Sequence, residues 1–224
     1  TCNPLQSNNN ISNQTFDSNP NMSLREKNKA RTRTAILDAA KELAKQGKWE
    51  NVSTRQIADA AEVSYQTLYN YYPAKAAILV EMLLDVYVGP GPAINEIVKH
   101  YDGDLLDTLD KINRLRFQSF GRDDIKWILT LGASLTTPGP SSEATSLIET
   151  IDQAGDGYYY SALSMAKGMG HLQDDVDIQL MAHTLYGIVN TTLDRYLLNS
   201  PNIQTQLHTL RQQIEQLVRP YLVV

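Results

Sequence analysis

Residues 52–73, VSTRQIADAAEVSYQTLYNYYP, carry two helix-start signals in close succession. Ser53 is a candidate N-cap, and Gln56, three residues later, is placed to bond back to the backbone N–H of the cap, which together form a capping box. Ser64 repeats the N-cap signal, and Pro73 requires the second helix to stop before it. Two helices this short, separated by about three residues, predict a helix-turn-helix.

Apolar residues flank both caps at the spacing of a hydrophobic staple, which fixes how the chain enters each helix. Val52 pairs with Ile57 around the first cap, and Val63 pairs with Leu68 around the second. The first short helix is therefore predicted over residues 54–61.

The second short helix offers few side chains to a core. Val63 and Leu68, joined by Tyr72, form one inward face. The other positions carry hydrogen-bonding groups: Tyr65, Gln66, Thr67, Tyr69, Asn70 and Tyr71. In a recognition helix such groups meet base edges and phosphates, so the pattern favours DNA contact, with Gln66 reading an adenine edge. The alternative is that Tyr69 and Tyr71 are half-buried tyrosines that tie this helix to the first one.

The net charge of -5 is unevenly distributed along the chain. Residues 25–80 contain ten Lys and Arg against six Asp and Glu, whereas residues 81–224 contain ten against eighteen. A locally basic module in an acidic chain fits nucleic-acid binding, because phosphate contacts need cations where the backbone lies. On charge alone, a solvated helix with scattered lysines is the more common explanation of such a pattern.

The rest of the chain reads as helical. Residues 1–24 are rich in Asn, Ser and Gln and are predicted to be disordered. Helical periodicity predicts a first helix over 26–46 and a strong fourth helix after Pro73. Turn residues separate further helices, predicted at about 93–101, 104–120, 122–136, 141–169, 174–199 and 202–219. The fold class is therefore all-α, with a helix-turn-helix domain over 25–73 and a helical bundle over 74–224.

Residues 32–79 resemble the DNA-binding domain of the TetR (tetracycline-repressor) family of bacterial transcription regulators. The matching motifs are ILDAA at 36–40, TRQIA at 54–58 and VSYQTLYNYYPAK at 63–75. Two positions depart from the family pattern: Glu62 replaces a glycine in the turn, and Ala74 replaces a small polar helix cap. We therefore expect an adjusted turn at Glu62, since its side chain tolerates a left-handed backbone poorly, and a less firmly held start of the fourth helix.

The resemblance implies a set of operator-contacting residues, with Ser64 and Thr67 serving phosphates. They are Arg55, Ser64, Tyr65, Gln66, Thr67, Tyr69, Tyr71 and Lys75. It also implies a homodimer through the last two helices and an unidentified small-molecule effector bound in the C-terminal bundle. Candidate dimer residues are the apolar stripes of those helices: Ile178, Met181, Leu185, Ile188, Val189, Leu193, Tyr196 and Leu197, then Leu207, Leu210, Ile214, Leu217 and Val218.

The effector site is expected among aromatic residues with a few polar anchors. The candidates are Phe117, Phe120, Trp127, Tyr159, Tyr186 and His183, with Tyr158, Tyr160, Met165, Arg114, Arg116 and Asn190 as further lining or anchoring groups. Most of the aromatic residues have core packing as their alternative. The expected outcome of effector binding is a shift of population that moves the fourth helix and releases DNA.

Other functional classes find little support in the sequence. A single cysteine, Cys2, permits no internal disulfide and fits a cytoplasmic protein. The four histidines show no metal-ligand spacing, and no phosphate loop or nucleophile elbow is present, so we expect neither an enzyme nor a cofactor. Residues 178–193 are too short and polar to span a membrane, so no span is expected. The open alternative is an all-helical ligand carrier or adaptor without DNA binding.

Overall fold

The computed structural model describes residues 23–47, 49–119, 142–199 and 202–223, and within these ranges it is built from helices. The one strand-like feature in these ranges is an isolated bridge between Leu172 and Leu222. The all-α prediction is therefore confirmed. The predicted disordered segment up to residue 22 and the predicted helix over 122–136 lie outside the described residues.

The N-terminal unit begins with helix α1, Leu24–Gln46. It starts two residues earlier than predicted because Ser23 caps it in a box with Glu26. A 3-10 turn, Trp49–Asn51, leads into α2, Thr54–Ala60, and then α3, Tyr65–Tyr71.

Both predicted caps of the short helices are present. Ser53 Oγ accepts from the Gln56 N–H at 3.2 Å, and Gln56 Oε1 accepts from the Ser53 N–H at 2.8 Å. Ser64 Oγ accepts from the Thr67 N–H at 3.0 Å. The staple residue Ile57 and the anchor Leu68 are both buried, so the local signals and the packing select the same two helices.

The turn between α2 and α3 keeps the left-handed backbone that the family pattern assigns to glycine. Glu62 has φ of 54°, the one non-glycine residue with positive φ in the described ranges. Its N–H donates to the Asp59 carbonyl at 3.1 Å and the Val63 N–H donates to the Ala58 carbonyl at 3.0 Å. These two bonds are a Schellman motif. The expectation of an adjusted turn is therefore wrong. The turn is retained, and Glu62 adopts the strained left-handed backbone conformation.

We expect Glu62→Gly to raise the free energy of unfolding by about 0.5–1 kcal/mol. A left-handed residue with a Cβ costs about 1–2 kcal/mol, and the extra backbone entropy of glycine offsets part of that gain. Urea denaturation followed by circular dichroism measures the change. Glu62→Ala is the control, since it removes the charge and keeps the strain; equal stabilisation by both variants would assign the effect to charge.

Six α-helices and a C-terminal 3-10 turn, Arg219–Tyr221, follow in the described residues. The α-helices are α4 Lys75–Val88, α5 Gly91–Lys99, α6 Leu105–Gln118, α7 Ser142–Gly168, α8 Ile178–Asn199 and α9 Ile203–Val218. The long helices α7 and α8 pack against each other, α4, α5 and α6 pack on α7, and α9 packs on α6 and α8. Helix α8 begins four residues later than predicted because Asp177 caps it, accepting from the N–H groups of Gln179 and Leu180.

The start of α4 lacks a side-chain cap, as expected from Ala74. Ion pairs instead connect this helix to α1. Arg33 binds Glu81 with two hydrogen bonds of 2.5 and 2.7 Å, and Lys41 pairs with Asp85. The buried Tyr72 lies beside the Arg33–Glu81 pair, and its burial raises its pKa. Helix α4 is thus fixed to the N-terminal unit by charge and to α7 by packing.

One helical segment in the described ranges, Lys75–Lys99, is long and apolar enough to cross a membrane by length and composition. It is a different segment from 178–193, the stretch that the sequence indicated as the most membrane-like. A core helix passes the same test, and Ile78, Met82 and Ile94 have no exposed surface here. Their side chains are part of the hydrophobic core of the protein.

The C-terminal residues close over the connection between α7 and α8. The Gln173 N–H donates to the Tyr221 carbonyl at 2.9 Å, and the Val223 N–H donates to the His171 carbonyl at 3.1 Å. Together with the bridge between Leu172 and Leu222, these bonds fix the last described residues to the bundle.

Candidate DNA-binding and ligand-binding sites

Helix α3 has a buried face and an exposed face. Leu68 is 1% exposed, whereas Tyr65 and Tyr69 are 48% and 49% exposed. Gln66 and Asn70 are also exposed, while Thr67 and Tyr71 are half-buried. Tyr65, Gln66 and Tyr69 therefore point away from the core, whereas Tyr71 packs against it. A burial of Tyr65, Gln66 and Tyr69 would have excluded a DNA-reading role, and the structure does not bury them.

Two contacts order the exposed face of α3. The Gln66 amide donates to Asn70 Oδ1 at 3.1 Å, and the Arg55 guanidinium lies 6.0 Å from the centre of the Tyr65 ring. The first contact orients the Gln66 amide, and base recognition depends on which way its donor and acceptor point. Asn70 was not among the predicted site residues. Its spacing of four from Gln66, one helical turn, is the sequence signal that identifies it.

The predicted phosphate-binding hydroxyls are already used in the cap. Ser64 Oγ lies 2.8 Å from Thr67 Oγ1 in addition to accepting from the Thr67 N–H. One of the two hydroxyl protons is therefore used in the hydrogen bond between Ser64 and Thr67. The proton of the second hydroxyl can be donated to a phosphate oxygen. Their role in DNA contact stays a prediction.

Lys75 is held inside the N-terminal unit. Its ammonium donates to the Trp49 carbonyl and, at 3.4 Å, to the Glu50 carbonyl. It also lies 4.6 Å from the centre of the Trp49 ring, and burial lowers the pKa of the lysine. The same group is thus placed to cap the 3-10 turn and to stack on an indole. The sequence resemblance placed Lys75 among the operator contacts and gave no sign of this internal role, because the partner lies 26 residues away.

We expect Lys75→Met to lower the free energy of unfolding by about 2 kcal/mol. The variant keeps the side-chain length but removes a charge-assisted hydrogen bond and a cation–π contact. Thermal unfolding measures it, with Lys99→Met as the control because Lys99 forms only an exposed pair with Glu96. If both variants have the stability of the native protein, Lys75 does not hold the turn.

The predicted effector-site residues fall into three groups. Phe117 and Tyr159 have no exposed surface and Tyr186 is 5% exposed, so these three lie in the core of the bundle. His183 is exposed, and its Nδ1 lies 3.1 Å from Asp156, so it does not face the same interior. Phe120 and Trp127 lie outside the described residues.

A hydrogen-bond network surrounds the buried aromatic residues. Arg116 NH1 donates to the Tyr159 hydroxyl at 2.8 Å, and Arg116 NH2 donates to Asn190 Oδ1 at 3.0 Å. The Tyr159 hydroxyl donates to Asn113 Oδ1 at 2.7 Å. The Tyr186 hydroxyl donates to a carboxylate oxygen of Asp152 at 2.8 Å. Sequence reasoning named Arg116 and Asn190 as possible anchors and missed Asn113 and Asp152.

The apolar stripes assigned to a dimer surface are mostly buried within the protomer. The buried members are Met181, Leu185, Val189, Leu193, Tyr196, Leu207, Leu210, Ile214 and Val218, while Ile178, Ile188 and Leu217 are partly buried; the side chain of Leu197 lies outside the described residues. These positions fill the core between α6, α7, α8 and α9. Any subunit contact through the last two helices therefore has to use other positions.

Comparisons with known proteins find relatives of the helix-turn-helix segment. The family profile of bacterial regulatory proteins, tetR family, matches residues 36–82. Over 51 residues the chain is 45% identical to the HTH-type transcriptional repressor KstR of Mycobacterium tuberculosis. The matched segment is 23% of this chain and 23% of the relative. The same repressor from Rhodococcus jostii is also 45% identical over 51 residues, 23% of this chain and 24% of the relative. The match thus spans about a quarter of the length of these relatives.

Solved structures share the whole fold at low identity. The TetR transcription regulator of Haloarcula marismortui superimposes with a TM-score of 0.67 at 15% identity, covering 87% of this chain and 100% of that one. The reduced form of E. coli NemR gives a TM-score of 0.64 at 17% identity, covering 84% and 97%. The segment that contains the capped α2 and α3 is therefore similar in sequence to the tetR family of bacterial regulatory proteins, and the all-helical architecture around it is shared with solved structures of such regulators.

Proposed function

We propose that the protein is a ligand-responsive DNA-binding regulator, a repressor, that binds a palindromic operator as a homodimer in the cytoplasm and is released by a small-molecule effector. The observation that supports this most directly is α3, where Leu68 anchors the helix and Tyr65, Gln66 and Tyr69 are exposed. A helix with that division has a surface that a DNA groove can use. We assign residues 25–73 to the DNA-binding domain and 74–224 to the ligand-binding and dimerisation domain.

The DNA contacts in this proposal divide by chemistry. Gln66, oriented by Asn70, reads a base edge, and Tyr65 contacts a base methyl or a phosphate. The remaining proposed contacts are to the backbone: Arg55, Ser64, Thr67, Tyr69, Tyr71 and Lys75. Lys75 also donates to the Trp49 carbonyl, so its substitution would change both DNA affinity and the stability of the N-terminal unit.

A homodimer through α8 and α9 would use the outer surface of these helices. Leu180 is 64% exposed, and Thr184, Gly187 and Thr191 follow it on the exposed side of α8. Small side chains at this spacing permit close approach of two helices. Sedimentation velocity of the native protein and of Gly187→Arg tests this surface: the variant is expected to dissociate, and a native-like dimer would move the interface elsewhere.

Helix α4 is the element through which an effector would act. It pairs with α1 through Arg33–Glu81 and packs on α7 in the bundle. A ligand that binds differently to two arrangements of the bundle shifts the population between them, and α4 carries that difference to the DNA-binding unit. Because the recognition helices of a dimer must match the half-site spacing, a small shift of α4 is sufficient to weaken operator binding.

The test is selection of bound fragments from the source genome, followed by gel shifts over a salt series. A regulator should recover a palindromic site and lose affinity steeply with salt, since phosphate contacts release counterions. Failure to recover any preferred site would favour the ligand-carrier alternative.

We expect Gln66→Ala to weaken binding to that site by about tenfold or more, and to relax base preference at one position of each half-site. Gln213→Ala, an exposed residue on α9, is the control and should bind as the native protein does. Fluorescence anisotropy against the native site and single-base variants measures both. An unchanged preference in Gln66→Ala would remove this residue from the base-reading set.

A further inference from the structure

Arg116 is the most buried cation of the described bundle. It lies on α6 and is 5% exposed. Its guanidinium lies 5.2 Å from the centre of the Tyr186 ring and 5.7 Å from that of Tyr159. Helices α6, α7 and α8 all contribute to its surroundings, so this side chain is at the centre of the bundle.

The positive charge of Arg116 has no carboxylate partner within the described ranges. Its acceptors there are the Tyr159 hydroxyl and the Asn190 amide oxygen, both neutral. Burial raises the pKa of Tyr159, which keeps that hydroxyl protonated. Asp152, near the same cluster, accepts from Tyr186 instead. A buried charge without a counter-charge is costly, so its retention requires an explanation.

A second buried charge in the same helix shows the usual solution. Asp110, which is 7% exposed, accepts from Arg114 at 2.7 Å and from Arg211 at 3.4 Å. The fold therefore compensates a buried carboxylate twice, one helical turn and a half away from Arg116. Within the described residues, Arg116 lacks the counter-charge that the buried Asp110 has.

The chemistry of the guanidinium indicates what would complete the site. Arginine has five N–H donors in a planar fork, and the two acceptors named above use two of them. Carboxylates match that fork with two parallel hydrogen bonds. The rings of Tyr159 and Tyr186 lie beside the guanidinium and supply aromatic surface for an apolar portion of the same molecule.

We infer that the effector is an organic carboxylate and that Arg116 binds its anionic group. The inference rests on the proposed function for its regulatory meaning, but the binding step stands on the uncompensated charge. Tyr158 next to Tyr159 donates to the Val88 carbonyl at the end of α4 at 3.2 Å. Arg116 donates to Tyr159, so an anion bound at Arg116 would lie one residue from the Tyr158 hydrogen bond that connects α7 to α4.

The binding test uses thermal shift and calorimetry with benzoate, phenylacetate and octanoate, each paired with its neutral primary amide. The acids should raise the melting temperature of the native protein by about 2 °C or more, and the amides should not. Arg116→Gln should bind the best acid at least about tenfold more weakly, whereas Arg116→Lys, which keeps the charge, should retain part of the affinity. If no acid is preferred over its amide, the inference is wrong.

Asn190→Asp supplies a test that needs no ligand. The substitution is nearly isosteric and places a carboxylate where Oδ1 already accepts from Arg116 at 3.0 Å. If Arg116 lacks a counter-charge, the new ion pair raises the melting temperature and abolishes acid binding. A fall in melting temperature would mean that the charge is already compensated and would overturn the inference.

The two proposals fail separately. Operator binding is measured without any acid, so a native protein that binds operator but prefers no acid contradicts only the effector assignment. A protein that prefers acids over amides but selects no DNA contradicts the regulator assignment and still supports the anion site.

Discussion

Leu68→Ala is expected to lower the free energy of unfolding by about 3 kcal/mol. Leu68 is 1% exposed and is the main apolar anchor of α3, so truncation loses the transfer free energy of the removed atoms and leaves a cavity. Because α3 has only seven residues, it has little helical stability of its own to compensate. Urea denaturation followed by circular dichroism measures the loss.

The neighbouring Tyr69→Ala is the matched control for Leu68→Ala. Tyr69 is 49% exposed, so its truncation should change the free energy of unfolding by less than about 0.5 kcal/mol. It should nevertheless weaken operator binding, which separates a DNA contact from a fold contact on the same helix. Equal destabilisation by the two variants would mean that α3 is packed on both faces.

Gly155→Ala is expected to destabilise the bundle by about 3 kcal/mol. A Cβ on Gly155 would lie 1.9 Å from Cε2 of Tyr186, far closer than van der Waals contact allows. The ring would have to move, which adds overpacking to the loss of its 2.8 Å hydrogen bond to Asp152. The displaced ring would also leave Arg116, so acid binding should fall together with stability.

Gly157→Ala, two residues along the same helix, is the control. Nothing lies within 4 Å of a Cβ at Gly157, and alanine is the better helix former by about 1 kcal/mol. The control should therefore raise the melting temperature while Gly155→Ala lowers it. A rise in both variants would show that the Tyr186 ring is free to move.

Sequence reasoning succeeded where the determinants are local. The caps at Ser53 and Ser64 and the staple residue Ile57 depend on residues within five positions of each other, and the structure contains all of them. The division of α3 into an anchor and an exposed face follows from helical periodicity alone.

Sequence reasoning failed where the deciding partner is distant in the chain. The DNA contact assigned to Lys75 from a family motif stays a prediction, whereas its internal role was missed because the carbonyl that accepts from its ammonium lies 26 residues earlier. The apolar stripe of α8 reads the same whether it faces a second subunit or α6 and α7. Periodicity identifies an apolar face, and only the packed structure shows what covers it.

The two ion pairs between α1 and α4 have a consequence for how binding experiments are interpreted. Arg33 with Glu81 and Lys41 with Asp85 are partly exposed to solvent, so added electrolyte screens them as it screens contacts to phosphate. The observed dependence of operator affinity on ionic strength therefore combines released counterions with a loosened attachment of α4. The double variant Arg33→Met, Lys41→Met removes the second contribution. The dependence of operator affinity on salt concentration that remains in this variant reports the number of phosphate contacts alone.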